Sequence, residues 1–267
     1  MAIQAKKIEV APPPFWAQGL GIFEVLGDIV VFAARALRQI PRCLRYSGEI
    51  WWYAAFLAIS STPVALVITY FSGSECSVEA YYSLHQLGGA ESLAGVFNAL
   101  CDMREITPLF FGFAIGAKVG CGIVAELGTM RINEEIDALE TMGVPSIPFL
   151  VSTRMLAALL VMPLMYVLSL AASFLASWVV QHFQIGLVSD GIYFNYFWRY
   201  TNLQDLGFSM IKAITFAFTI ICVAVYYGYH VTGGAVGIGR EREERGRGEP
   251  ARTLGTQHHG ALETQLT

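Results

Sequence analysis

Residues 125–143 read "AELGTMRINEEIDALETMG" and separate two long apolar runs. Five of the chain's 21 carboxylates fall here, against a single base, Arg131. That is a high local density for a chain that is 55% hydrophobic and 14% charged, when soluble domains carry about 25% charged residues. The stretch has the signals of a short helix over Asn133–Met142. Asn133 is a good N-cap, Glu134 and Glu135 fill the first turn where the helix dipole favours carboxylates, and Gly143 followed by Pro145 supplies the stop. Ile132, Ile136, Leu139 and Met142 form an apolar ridge, while Glu134, Asp137 and Thr141 line another face, with Glu140 as a further acid. A helix meant to rest on the inner leaflet would be basic, because that surface is negative. This one is acidic, so a protein groove with a basic rim suits it better, the ridge docking and the acids orienting the contact. Packing against its own chain is the plainer alternative.

Outward from this loop, the chain reads as an all-α polytopic membrane protein with about four transmembrane helices. Residues 51–72 carry no charge and begin on an aromatic belt of Trp51, Trp52 and Tyr53. Residues 107–127 form a second span with Lys118 inside it, and residues 206–228 a fourth with Lys212 near its outer end. About 20 apolar residues suffice to cross the hydrocarbon. Residues 147–182 exceed one perpendicular crossing and predict a long tilted helix, with Pro163 as the place for a bend. Upstream, residues 17–40 put Glu24, Asp28, Arg35 and Arg38 within about 80° of one another at 100° per residue. Phe23, Leu26, Ile29, Val30 and Ala33 lie mostly opposite, the pattern of a helix lying in the membrane interface, with a charge-tolerant first span as the alternative. Glu24 and Asp28 also interrupt what a cleavable signal peptide would need. The division is a polar segment at 1–16, a membrane domain at 17–240, and a charged tail at 241–267 expected to be disordered.

Loop charge sets the orientation. Lys6, Lys7, Arg35, Arg38, Arg42 and Arg45 put the N-terminal flank in the cytoplasm. The loops at 73–106 and 183–205 then face out, and the acidic loop and the tail face in. Cys76 and Cys101 share the first outer loop, on the oxidising side, and are expected to form a disulfide. In the second span, Gly112, Gly116 and Gly120 make a double GxxxG stripe that admits another helix at backbone contact, from this chain or from a partner. Lys118 should face protein or a watery cavity rather than lipid, with snorkelling to an interface as the bland reading. A net charge of −4 argues against nucleic acid. No P-loop, HExxH or GxSxG stands in the sequence, the cysteines show no CxxC, and the histidines are scattered. Neither an enzyme, a metal site nor a cofactor is expected.

The string "AELGTMRINEEIDALETMGVPS" (125–146) closely resembles the signature of the MlaE/YrbE permeases, membrane subunits of ABC transporters that work with MCE proteins. "VTGGAVGIGR" (231–240) resembles that family's second cytoplasmic signature, and "GAKVG" (116–120) is similar to its GARVG-like stretch, with Lys118 at the basic position. The resemblance covers roughly residues 17–240 and is nearest to the permeases of actinobacterial mce clusters. It implies a bacterial plasma-membrane permease moving lipids or other hydrophobic molecules. It also implies a coupling helix at Asn133–Met142 for a separate cytoplasmic ATPase, a second permease (paralogue or self) around a central lipid pocket, and MCE proteins on the outer side. Relatives continue into a fifth span after the glycine signature, whereas "GREREERGRGEPARTLGTQHHGALETQLT" has no apolar run and cannot cross a bilayer. A transport-incompetent scaffold derived from such a permease is therefore the competing expectation.

Overall fold

A computed structural model describes residues 15–231, except 89 and 187. Every element among them is helical. Four stretches are long and apolar enough to cross a membrane: Ile40–Gln86, Ala94–Ile132, Ile147–Ile185 and Leu203–Tyr229. Hydrocarbon offers the backbone no water to bond, so helices that satisfy their own amides are the expected solution. Residues 1–14 and 232–267 lie outside the described residues, and with them most of the glycine motif and the whole charged tail.

Helix α1 (Phe15–Arg38) precedes the spans and buries Ile29, Phe32, Ala33 and Ala36. Phe32 meets the rings of Tyr226, Tyr229 and His230, and Ser152 Oγ donates to the Ala36 carbonyl at 2.9 Å. After a short α2 (Ile40–Cys43), α3 (Ser47–Gln86) is the first span. The second is built from α4 (Ala94–Leu100), α5 (Thr107–Ile115) and α6 (Cys121–Ile132), joined by π-helical turns at Cys101–Ile106 and Gly116–Gly120. The acidic helix α7 (Glu135–Thr141) leads to α8 (Thr153–Val179), which has a π-helical segment at each end. Helix α9 (Asp190–Tyr200) precedes the last span, α10 (Leu203–Tyr229).

Two expected outer loops are thus largely helical. Helix α3 runs to Gln86 because Cys76, Ala80 and Leu84 are buried, so packing carries the helix beyond its apolar run. In the second outer segment, α9 packs on α4 through Tyr193 and Phe197, and the Phe174 and Phe197 rings stand edge to face at 4.9 Å. Burial pushes the Tyr193 phenol far above its usual range, so it stays protonated. Pro63 and Pro163 lie inside α3 and α8 without ending either helix.

Helices α3 and α8 make the most extensive contact, and small residues permit it. A Cβ on Gly73 would sit 2.2 Å from the Ser173 carbonyl oxygen. Around this crossing, Ser77 Oγ donates to the Ser177 carbonyl at 2.6 Å, and Asn98 Nδ2 donates to Ser77 Oγ at 2.7 Å. Asp102 is fully buried, accepting from Ser173 Oγ at 2.9 Å and from Ser177 Oγ. Cys76 and Cys101 are joined as a disulfide beside this network, tying α3 to the second span. Where apolar chains supply little drive for helices to associate, close backbone approach and interhelical hydrogen bonds supply it instead.

The glycine stripe finds its partner within the chain. Added Cβ atoms at Gly112 and Gly120 would lie 3.3 Å and 3.2 Å from Phe216 and Ile220, and one at Gly116 would lie 3.7 Å from Ile220. The stripe seats α10 against α5 and α6.

Gly73→Ala should destabilise the chain by about 1–3 kcal/mol, since its new methyl meets backbone that cannot step aside. Gly27→Ala, which meets nothing within 4 Å, is the control. Thermal unfolding of the detergent-purified variants checks this: a melting temperature for Gly73→Ala no lower than for Gly27→Ala means the close crossing is not needed.

Candidate functional site

Three spans meet, at the end expected to face the cytoplasm, around one buried guanidinium. The Arg154 side chain, in the first turns of α8, is 7% exposed, and Glu126 on α6 is 36% exposed. Arg154 Nη2 donates to Glu126 Oε1 at 2.6 Å and its Nη1 donates to the Leu150 carbonyl at 3.0 Å. Tyr53 on α3 donates its hydroxyl to Glu126 Oε2 at 3.1 Å, and the guanidinium lies 5.2 Å from the Tyr53 ring centroid. The group therefore clamps α3, α6 and α8 together.

The acidic helix hangs from this clamp, displaced from the expected boundaries. Asn133 is not its N-cap. Leu127 and Gly128 are buried, the second-span helix continues to Ile132, and Asn133 caps its C-terminus instead. The Asn133 amide donates to Glu135 Oε1 at 3.3 Å. Glu134 takes the N-cap position with φ of 60°, in the left-handed region, without a side-chain cap bond. An L residue there costs about 1–2 kcal/mol, and such strain concentrates at working sites. At the other end Gly143, with φ of 79°, closes the helix as the sequence implied, and the Val144 amide reaches back to the Leu139 carbonyl at 3.0 Å.

The apolar ridge is not free to dock as a whole. Ile136 is completely buried, and Leu139 is half-buried against the same core. Met142 is 70% exposed, and Ile132, at the end of α6, is 38% exposed. Glu134, Glu135, Asp137 and Glu140 remain on the exposed side. Arg131 pairs with Asp137 at 2.7 Å, and Ser146 bonds both Glu140 and the Tyr229 hydroxyl. Helix α7 is thus fastened to α6, to the entry of α8 and to α10, while its acids and Met142 face outward.

Lys118 lines a groove of about 250 Å³ between α3 and α6, with Trp52, Phe56, Ser60, Ser61 and Glu126 among its walls. On the opposite side of the membrane, Arg104 pairs with Asp205 and Lys212 with Glu105, each at 2.9 Å, joining the turn before α5 to α10. None of these pairings was anticipated from sequence. A signal existed for one of them: Arg154 stands alone in the apolar run of 147–182, and a lone charge in such a run calls for an internal partner.

No group of three or more His, Cys, Asp or Glu side chains is placed to hold a metal ion among the described residues. The model of the family described as permease MlaE matches residues 50–244. The chain belongs to the MlaE permease family. Over 215 residues it is 30% identical to a probable ABC transporter permease protein of Rickettsia bellii, covering 80% of this chain and 82% of that one. A probable ABC transporter permease protein of Rickettsia prowazekii is 30% identical over 225 residues, 84% of each chain. The chloroplastic protein trigalactosyldiacylglycerol 1 of Arabidopsis thaliana is 26% identical over 238 residues, 86% of this chain and 63% of that one. This chain is accordingly a multi-pass plasma-membrane permease of the ABC-transporter type, a family that works with a partner ATPase.

Glu126→Leu should cost about 3 kcal/mol, the lower end for breaking a buried pair because Glu126 is partly exposed, and it leaves the guanidinium buried without its carboxylate. Arg154→Met should cost less, since the freed Glu126 can reach water. The double variant should recover most of the loss. Chemical unfolding of the three variants reads the order; equal stability of Glu126→Leu and the unsubstituted chain would remove the clamp from the account.

Proposed function

We propose that this chain is the membrane permease subunit of a transporter that moves lipids or other hydrophobic molecules with MCE proteins, driven by a cytoplasmic ATPase that grips α7. The observation that carries the reading is the mounting of α7. An exposed acidic surface is fixed through Ile136 and Ser146 to three membrane helices, so a force on it reaches the spans. The strained Glu134 turn fits a segment kept for contact rather than for stability. The lipid class of cargo is supported by the Arabidopsis relative, whose name carries a glycerolipid. A second permease, as paralogue or second copy, completes the proposed complex, with the MCE proteins on the outer side.

Because Ile136 is committed to the chain's own core, the partner is expected to read Met142 and the acids. Met142→Arg should weaken ATPase copurification at least about tenfold, equivalent to 1.4 kcal/mol, while leaving the melting temperature unchanged. Glu135→Lys should weaken it less, and that loss should shrink at high salt. Lipid transport in the reconstituted complex should fall in step with ATPase binding. Full copurification and full transport by the Met142→Arg, Glu135→Lys double variant would show that α7 is not the coupling element. ATPase binding by the unsubstituted chain without ATP-dependent transport would instead identify a scaffold.

A further inference from the structure

A charged cleft lies where the chain leaves α10. It measures about 430 Å³ and opens between Gln39 and Arg42 at α2 and the connection from α7 to α8, with Glu140, Val144 and Ser146 completing its walls. Arg42 is exposed, and its side chain makes no hydrogen bond or ion pair among the described residues. Glu140 is exposed as well; it accepts from the hydroxyls of Ser146 and Tyr229 and meets no cation among the described residues. The cleft thus holds a base from α2 and an acid from α7, and neither is neutralised.

The last described residues bring the rest of the chain to this place. The Tyr229 hydroxyl lies 2.9 Å from Ser146 Oγ in the cleft wall, and the His230 ring meets Phe32 of α1 at 5.0 Å. Val231 packs beside Gly128 of α6, where an added Cβ would lie 3.3 Å from its side chain. Further on, the sequence reads Arg240-Glu241-Arg242-Glu243, and residues 232–239 before it include four glycines. A glycine-rich stretch is a flexible linker, and the nine residues from Val231 to Arg240 reach about 15–18 Å on average. So short a tether gives the segment an effective concentration in about the millimolar range. Surface ion pairs that are individually weak then suffice to hold it.

Charge alternates along this segment, and an extended chain turns successive side chains to opposite sides. Laid through the cleft, such a chain carries Glu241 and Glu243 along one edge, toward Arg42, and Arg240 and Arg242 along the other, toward Glu140. A stretch with no apolar residue builds no core of its own, so only a charged surface can fix its place. We propose that Arg240–Glu243 occupies the cleft between α2 and α7 of its own chain and covers that end of α7 until the ATPase displaces it. The docking stands on the cleft and the tail alone, whereas the competition rests on the proposed function.

The test places Val144→Cys, in the cleft wall, and Glu244→Cys, next to the docked segment, in the full chain with Cys43, Cys121 and Cys222 replaced by alanine. The chain sits in phosphatidylcholine nanodiscs, whose headgroups carry no net charge to compete for Arg42, and no ATPase is present. Mild oxidation should join the two cysteines within one chain. Arg42→Glu should slow that reaction by about fivefold, the scale of one or two surface ion pairs. Adding Glu241→Arg with Glu243→Arg should restore the rate. A rate unchanged by Arg42→Glu, no recovery with the reversed tail, or cross-links formed only between chains would each overturn the proposal. In the assembled complex, Arg240→Ser with Arg242→Ser should raise ATPase copurification by about threefold. No rise there, with the cross-linking pattern intact, counts against α7 as the coupling element and leaves the docked tail standing.

Discussion

A guanidinium withdrawn from water must find its anion inside the protein, and the half of this molecule that carries α7 is arranged around that requirement. Arg154 takes Glu126 from the second span, the Leu150 carbonyl from its own helix, and the ring of Tyr53 from the first. Breaking such a pair costs more than the pair itself contributes, because the survivor is left uncompensated. The three helices are therefore held in one relative placement at the end where α7 emerges. The outer half uses a different device, small side chains and hydroxyls that let α3 and α8 touch backbone to backbone, reinforced by the Cys76–Cys101 bond.

Helix α7 combines two properties that usually compete. Ile136 is buried and Ser146 ties Glu140 to Tyr229, so the helix cannot swing freely. Its acids and Met142 nevertheless remain outside. A mobile helix would bind a partner without passing on its movement, and a fully packed one would offer nothing to bind. On the proposed function, a partner's movement reaches the membrane helices through this element.

Much of this was legible in the sequence because the underlying signals are local. Uninterrupted apolar runs marked the spans, the acidic stretch marked α7, and the glycines marked the seam that α10 fills. What stayed hidden depends on three-dimensional context. Asn133 has the chemistry of an N-cap, but buried Leu127 carries the preceding helix past the apolar run and turns that residue into a C-cap. The ridge of Ile136 and Leu139 has the same period whether it meets a partner or the chain's own core. Composition alone predicts loops at the end of α3 and over α9, because burial against neighbours, rather than composition, sustains helix there. Glu126 has the composition of a loop acid, but its partner lies 28 positions further on.

The central claim is that the ATPase meets the molecule on the exposed side of α7. Site-specific cross-linking tests it most directly, in a chain where the free cysteines Cys43, Cys121 and Cys222 are replaced by alanine and the disulfide is kept. Met142→Cys and Glu135→Cys, each carrying a short bifunctional reagent, should cross-link to the ATPase in the assembled complex, and Phe194→Cys on α9 should not. Cross-links from Phe194→Cys, or none from either α7 position, would contradict the account.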